Sequence, residues 1–170
     1  MISIRDALPA DLETITEIYN YYIRTSSATF REKELTAEEM KEVYLPAAQD
    51  FVFLVAEDEK GKAVGFAYTS KFRTGSAYKL AETTIYLAPD RIRGGIGKRL
   101  YGELIARTAK KRPDLTGLIA VITTSNTASS HFHETMKFEV VGHIRNAGCK
   151  FGAFEDVAFW HYALKPIQQK

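Results

Sequence analysis

The chain has 170 residues, 45% hydrophobic, 12% aromatic and 26% charged, which is enough apolar length for one well-buried core and predicts a single domain over residues 1–170. Lys plus Arg number 23 against 21 Asp plus Glu, so the net charge of +2 leaves no strong cationic field and argues against nucleic acid as the main partner. The single Cys149 leaves no disulfide and no thiol pair for zinc, residues 1–6 carry no basic-then-apolar leader, and no apolar run nears the roughly 20 residues that span a bilayer, so a cytoplasmic protein without membrane contact is expected.

Ile2 and Ile4 alternate as a short strand before Pro9, which suits the first turn of a helix. Leu12, Ile15, Ile18, Tyr19 and Tyr22 then recur at helical spacing until the Thr25-Ser26-Ser27 cluster. An extended stretch at Ala28-Thr29-Phe30 follows. Thr36, with Glu38 and Glu39 behind it, opens a second, short helix carrying Met40, Val43 and Tyr44 towards Pro46. The apolar runs 51–56 and 63–68, separated by the polar turn 57–62, form a hairpin. A further strand spans Leu80 to Leu87, with Ala81, Thr83, Ile85 and Leu87 on one face and Glu82, Thr84 and Tyr86 on the other, and Pro89 stops it.

Next comes the glycine-rich run Arg91-Ile92-Arg93-Gly94-Gly95-Ile96-Gly97-Lys98, followed by Leu100, Tyr101, Leu104, Ile105 and Thr108 at helical spacing until Arg112-Pro113. Leu118 to Ile122 reads as a buried strand, Asn126 to Met136 as a short helix, and two late strands lie around Phe138 to Ile144 and Asp156 to Leu164. The order β-α-α-β-β-β-α-β-α-β-β predicts an α/β fold with a mixed, largely antiparallel sheet flanked by helices, and one parallel pair where the glycine-loop helix crosses over.

Glycines just before a helix let backbone approach a ligand, while free N–H groups and the helix dipole attract an anion such as phosphate. Arg91, Arg93, Lys98 and Arg99 add charge around the loop. Two familiar loops fail. The triphosphate-binding G-x-x-x-x-G-K-[ST] pattern would need Gly at Ile92 and Ser or Thr at Arg99, and the dinucleotide G-x-G-x-x-G pattern starting at Gly95 meets Leu100 at its third glycine.

The remaining pattern, Ile92-Arg93-Gly94-Gly95-Ile96-Gly97 between a strand and a helix, resembles the acyl-CoA pyrophosphate loop of the GNAT N-acetyltransferase superfamily. Within it the chain is similar, over nearly its whole length, to the phosphinothricin and methionine-sulfoximine acetyltransferase group. The segments that carry the resemblance are Ile18-Tyr19-Asn20 through Phe30-Arg31, Ala77-Tyr78 to Leu87, Gly95 to Tyr101, Val121 to Asn126, His133-Glu134, Ala147 to Gly152, and Asp156 to Trp160. This implies the GNAT fold with central strands splayed at the acetyl-CoA site, acetyl-CoA as cosubstrate, a small amino-acid-like acceptor and a homodimer.

The resemblance also distributes roles. Glu82 is the expected base for the amine, against the alternative of an exposed strand carboxylate. His133 stands where relatives carry the acid for the leaving sulfur; capping, packing or a bond to CoA are its alternatives. Tyr86, Leu87, Arg91, Ile92, Arg93, Gly94, Gly95, Ile96, Gly97, Lys98, Asn126 and Ser129 are expected along the cofactor, with helix capping the alternative for Asn126. Phe30, Lys71, Arg73, Tyr78 and Thr83 are expected around the acceptor, the cations favouring a carboxylate, unless Lys71 and Arg73 are solvated loop charges and Phe30 and Tyr78 core aromatics. Cys149 reads as structural, which favours direct transfer over an acetyl-cysteine route, and His131, His133, His143 and His161 lack metal-site spacing, so no metal is expected.

Overall fold

The computed structural model describes residues 1–75, 77–92 and 94–166. The elements follow in the expected order: β1 (Ser3–Asp6), α1 (Leu12–Thr25), α2 (Ala37–Asp50), β2 (Phe53–Glu57), β3 (Ala63–Lys71), β4 (Leu80–Leu87), α3 (Ile96–Lys111), β5 (Gly117–Thr123), α4 (Thr127–Thr135), β6 (Glu139–Lys150) and β7 (Ala153–Ala163). They build one seven-stranded sheet in the order β1-β2-β3-β4-β5-β7-β6. Every neighbouring pair is antiparallel except β4 with β5, the pair that the α3 crossover connects.

That parallel pair is short. It holds only through Leu80↔Gly117, Ala81↔Leu118 and Glu82↔Ile119, after which residues 83–87 of β4 and 120–123 of β5 run without pairing to each other. The central strands therefore splay, as expected, and open a wedge towards their C-terminal ends.

Helices cover both faces. On one, Leu100, Tyr101 and Leu104 of α3 pack on Leu54, Ala67, Ala81, Leu118 and Ile122. On the other, Ile15 and Ile18 of α1 with Met40 and Tyr44 of α2 pack on Phe53, Val55 and Phe66. Burying each such large apolar side chain contributes about 1.5–3 kcal/mol.

Helix α2 and the last two strands exceed the sequence expectation. Helix α2 begins as anticipated, with Thr36 Oγ1 accepting the Glu39 N–H at 3.2 Å and the Glu39 carboxylate accepting the Thr36 N–H at 2.7 Å. It then runs through Pro46 to Asp50. Pro46 lies on the exposed side, where water can serve the carbonyl that loses its partner, and Ala47 behind it buries into the core. Strands β6 and β7 meet in a tight hairpin, because Phe151 and Gly152 take φ values of 52° and 76°, the left-handed pair that matches strand twist. Asn146-Ala147-Gly148 forms an irregularity within β6, with the Asn146 N–H on Asp156 Oδ1 at 2.8 Å.

The edge of the fold is tied by a polar cluster. Asp11, 8% exposed, accepts both Arg5 guanidinium nitrogens at 2.7 and 2.9 Å and the Leu8 N–H at 2.7 Å, while Arg5 Nε donates to Glu57 at 2.6 Å. The Arg5 bonds hold the Asp11 carboxyl below its usual range. A carboxyl depressed by folding stabilises the protein above its unfolded pKa, and that contribution disappears as pH falls through the folded value. Asp11→Asn is expected to lower unfolding free energy by about 1–3 kcal/mol at pH 7 and much less at pH 2, read from urea unfolding at both pH values.

Candidate active site

The wedge presents backbone before it presents side chains. The Ala88 N–H donates to the Val64 carbonyl at 2.9 Å, so Ala88 and Val64 form a hydrogen-bonded pair, and Leu87 opposite Gly65 falls in the alternate position. The N–H and C=O groups of Leu87, and of Ile85 two residues earlier, thus point away from β3 towards the side that β5 has left. Tyr22 Oη satisfies the Leu87 carbonyl at 2.7 Å. The N–H groups of Ile85 and Leu87 face the wedge, as an extended ligand arm lying along β4 requires.

At the mouth of the wedge, Gly94 and Gly95 take φ values of 85° and 74°, and a Cβ added at either would meet nothing within 4 Å. Glycine is required there by backbone conformation, and the space beside the loop is open. The Arg99 N–H reaches Gly95 O at 3.1 Å, which makes the N–H groups of Ile96, Gly97 and Lys98 the unpaired first-turn donors of α3. With the helix dipole behind them they form an anion cradle that fits a diphosphate. Lys98 and Ile92 are exposed beside it. Arg91 lies 3.7 Å from Asp58 and 3.4 Å from Asp90, and Arg99 donates to the Ile2 carbonyl at 3.0 Å. Arg93 falls outside the described residues.

Helix α4 closes the other lip. Asn126 Oδ1 accepts the Ser129 N–H at 3.1 Å, so its side-chain oxygen serves as the helix cap. His133 is 4% exposed, with its ring against Tyr101, Phe132 and Phe138. Its Nδ1 lies 2.8 Å from the Ser129 carbonyl, which makes Nδ1 the N–H donor, and its Nε2 lies 3.0 Å from Tyr101 Oη, which makes Nε2 the acceptor. Burial lowers the imidazole pKa below its ordinary value. Both nitrogens of a neutral ring are spent inside the α3–α4 interface. The arrangement gives the packing alternative for His133 and leaves no open N–H for a leaving group.

The side-chain chemistry lies on the α1/α2 face. Register places Glu82 opposite Ser70, Thr84 opposite Tyr68 and Tyr86 opposite Phe66, all on one face. Glu82 is half-buried, its carboxyl is pushed above the ordinary range by burial, and none of the described residues donates to it or pairs with it. Burial also pushes the nearby Tyr68 phenol up to about 12, which keeps it protonated across the physiological range. Facing these groups is the loop after α1, where Tyr86 Oη donates to the Ala28 carbonyl at 3.1 Å and Tyr19 Oη lies 2.9 Å from Thr29 Oγ1. Phe30 extends from this loop and packs against Gly148, where an added Cβ would stand 2.6 Å from the ring.

Several expected acceptor residues lie elsewhere. Lys71 pairs with Ala81 and Thr83 with Thr69, on the face covered by α3, so both point away from Glu82. Thr83 is buried there, above the Thr69–Thr108 hydroxyl contact of 3.1 Å. Lys71 instead lines a cavity of about 460 Å³ at the far end of the sheet, together with Lys111, Arg112 and Tyr78. Arg73 stays exposed just after β3, 5.7 Å from the Phe72 ring that Tyr78 meets edge-on. A cation that the structure does bring to the Phe30 loop is Lys150, 4% exposed, with Nζ on the Ser26 and Thr29 carbonyls. Its place in the Ala147–Gly152 segment was visible in sequence, but its burial was not.

The acetyltransferase (GNAT) domain family matches residues 4–158. The chain is 35% identical over 167 residues to a phosphinothricin N-acetyltransferase of Streptomyces coelicolor, covering 96% of each chain. It is 31% identical over 168 residues to an L-methionine sulfoximine/L-methionine sulfone acetyltransferase of Pseudomonas aeruginosa, covering 98% of this chain and 96% of the relative. Among solved structures it is similar to a phosphinothricin acetyltransferase from Sinorhizobium meliloti in complex with AcCoA, with a TM-score of 0.88, 36% identity, and coverage of 95% of this chain and 88% of that one.

If the Gly94–Lys98 cradle holds the diphosphate, coenzyme A near 100-fold above its dissociation constant should raise the melting temperature by about 5–10 °C. Gly95→Val, which forces a β-branched residue to φ near 74°, should abolish that shift in a thermal-denaturation assay.

Proposed function

The chain belongs to the GNAT acetyltransferase family, whose cosubstrate is acetyl-CoA, and on that premise we propose that it acetylates the α-amine of a small amino acid or analogue of the phosphinothricin, methionine sulfoximine or methionine sulfone type, by direct transfer in a ternary complex. The observation that carries this reading is Glu82: a half-buried carboxyl with no partner among the described residues, on the strand that opens the wedge and facing the Phe30 loop.

When bound, acetyl-CoA supplies the acetyl group as an activated thioester. The chain's own groups divide the remaining work. Gly94 to Lys98 hold the diphosphate with backbone N–H groups, with Arg91 and Ile92 beside them, and Tyr86, Leu87, Asn126 and Ser129 flank the arm. The Leu87 N–H is aimed at the wedge, where it can donate to an oxyanion developing on the acetyl carbonyl. Glu82 accepts the proton that an ammonium must lose before its nitrogen can attack, and desolvation makes it a better base than an exposed Glu. His133 supports the site by locking α4, and with it Asn126 and Ser129, against Tyr101.

The proposed assembly is a homodimer in the cytoplasm. Its support is the edge strand β6, which leaves Val140, Val141 and Ile144 exposed, an unusual apolar load for an unpaired edge. Sedimentation equilibrium should give about twice the 19.1 kDa chain mass, and a monomer at micromolar concentration would remove the dimer from the proposal.

The test of the reaction is thiol release from acetyl-CoA with phosphinothricin, methionine sulfoximine, methionine sulfone, common amino acids, a polyamine, an aminoglycoside and a peptide. Saturable turnover with the amino-acid-like acceptors alone is expected; turnover confined to the peptide or polyamine would overturn the acceptor class. Because Glu82 must be ionised to act, kcat/KM should fall as pH drops through its raised pKa. Glu82→Gln should remove that acid limb and lower kcat by about 10²–10⁴-fold while acetyl-CoA affinity stays within about twofold.

A further inference from the structure

The sheet consists of two halves, β1 to β4 and β5-β7-β6, whose strands pair through three residue pairs at the base of the wedge, beside the Thr116 N–H on the Lys79 carbonyl at 2.7 Å. On the Glu82 face the loop after α1, residues 26–30, crosses this opening. From the β4 half it is held by Tyr86 Oη on the Ala28 carbonyl and by Tyr19 Oη at Thr29 Oγ1. From β6 it is held near both ends, where Lys150 Nζ donates to the Ser26 carbonyl at 2.8 Å and the Thr29 carbonyl at 2.7 Å. Two residues earlier on the same strand, Gly148 makes room for the Phe30 ring. The side-chain contact between Ser27 Oγ and Ser125 Oγ, at 3.4 Å, is long by comparison.

Lys150 is costly as a purely structural choice. The residue is 4% exposed, its hydrogen-bond partners are neutral carbonyls, and among the described residues the carboxylate acting on it electrostatically is Glu32, on the chain segment just beyond the same loop. An apolar side chain of similar length would fill the space without the desolvation cost. What an apolar residue cannot do is fix two carbonyls of one loop to the opposite side of a split sheet.

We infer that Lys150 is a positioning residue of the acceptor side: it ties the loop 26–30 to β6 across the wedge, and thereby sets where Phe30 stands relative to Glu82. This rests on the proposed acceptor site, and it is separate from the glycine cradle, which lies at the end of β4 and is reached by none of these bonds. Loosening the latch should therefore weaken acceptor binding and leave the acetyl donor's site intact.

The experiment compares wild type, Lys150→Met and Lys150→Arg, with Gly148→Ala as an independent displacement of Phe30 from the same wall. Three quantities are read: KM for methionine sulfone, the dissociation constant of coenzyme A, and amide hydrogen exchange over residues 26–30. Lys150→Met is expected to raise the acceptor KM at least about tenfold and to accelerate exchange in the loop about tenfold, with coenzyme A affinity within about twofold. Lys150→Arg, which keeps donors for the two carbonyls, should recover most of the acceptor KM. Gly148→Ala should reproduce the KM change without loss of coenzyme A binding, and it stands in for Lys150→Met should that variant not fold. Unchanged acceptor KM and loop exchange in Lys150→Met would overturn the latch, as would a parallel loss of donor and acceptor affinity. A wild type that turns over no amino-acid-like acceptor would overturn the proposed function instead, and the exchange measurement would then decide the latch alone.

Discussion

The early separation of β4 from β5 is the constraint on which the rest of this molecule depends. A parallel pair in the middle of a sheet normally satisfies its backbone along its whole length, and here it stops after Glu82 and Ile119. The donors and acceptors released on β4 have to be met by something other than a strand. Tyr22 answers part of the demand at the Leu87 carbonyl, and the open N–H groups that remain define where an extended ligand can lie. The same separation obliges the flanking elements to hold the two halves together. On the α3 side, Leu100 and Tyr101 pack across the gap together with Leu118 and Phe138; on the α1 side, a loop and a lysine do so with polar contacts.

The two sides of the wedge differ in the kind of group they offer. The donor side is built from backbone: the first-turn N–H groups of α3, the left-handed Gly94 and Gly95, and the exposed edge of β4. Backbone donors are pre-oriented and carry no titratable charge, so the proposed diphosphate site depends on geometry and not on pH. The acceptor side is built from side chains whose protonation is shifted by burial, chiefly Glu82 and the Tyr68 and Tyr86 phenols. A proton transfer needs such groups, and the α1 and α2 helices supply the low-dielectric cover that shifts them.

Much of this was legible in the sequence because periodicity and punctuation act locally. The run of β-formers at 51–56, the helical stripe from Leu12 to Tyr22 and the glycine loop before Leu100 each specify their own element, and the order of elements follows. The opposite placement of Thr83 and Glu82 was also legible, since strict alternation along Leu80 to Leu87 already puts them on different faces. Lys71 is a different case. Its face depends on its register with Ala81, a tertiary fact that no local pattern carries. The length of α2 was hidden by Pro46, whose cost is small on a solvent-facing side, and the β6–β7 hairpin was hidden because Phe151 holds a left-handed position more often taken by Asn or Gly.

His133 and Lys150 show that residue type alone does not set the surroundings of a polar group. A histidine near a cofactor helix invites a proton-transfer role, yet its two nitrogens here meet a carbonyl and a phenol within an aromatic cluster, and its neutral form is the one that this environment selects. A lysine near the chain's last hairpin invites no role, yet it is the buried cation on the same side as Glu82. Both follow from one rule. A polar group taken out of water is assigned by the partners that repay its desolvation, and those partners are set by which segments the fold brings together. For His133 the partners join α3 to α4 beneath the donor's lip, and for Lys150 they join β6 to the loop above the acceptor. Each residue therefore braces one lip of the opening that the short β4–β5 pairing creates.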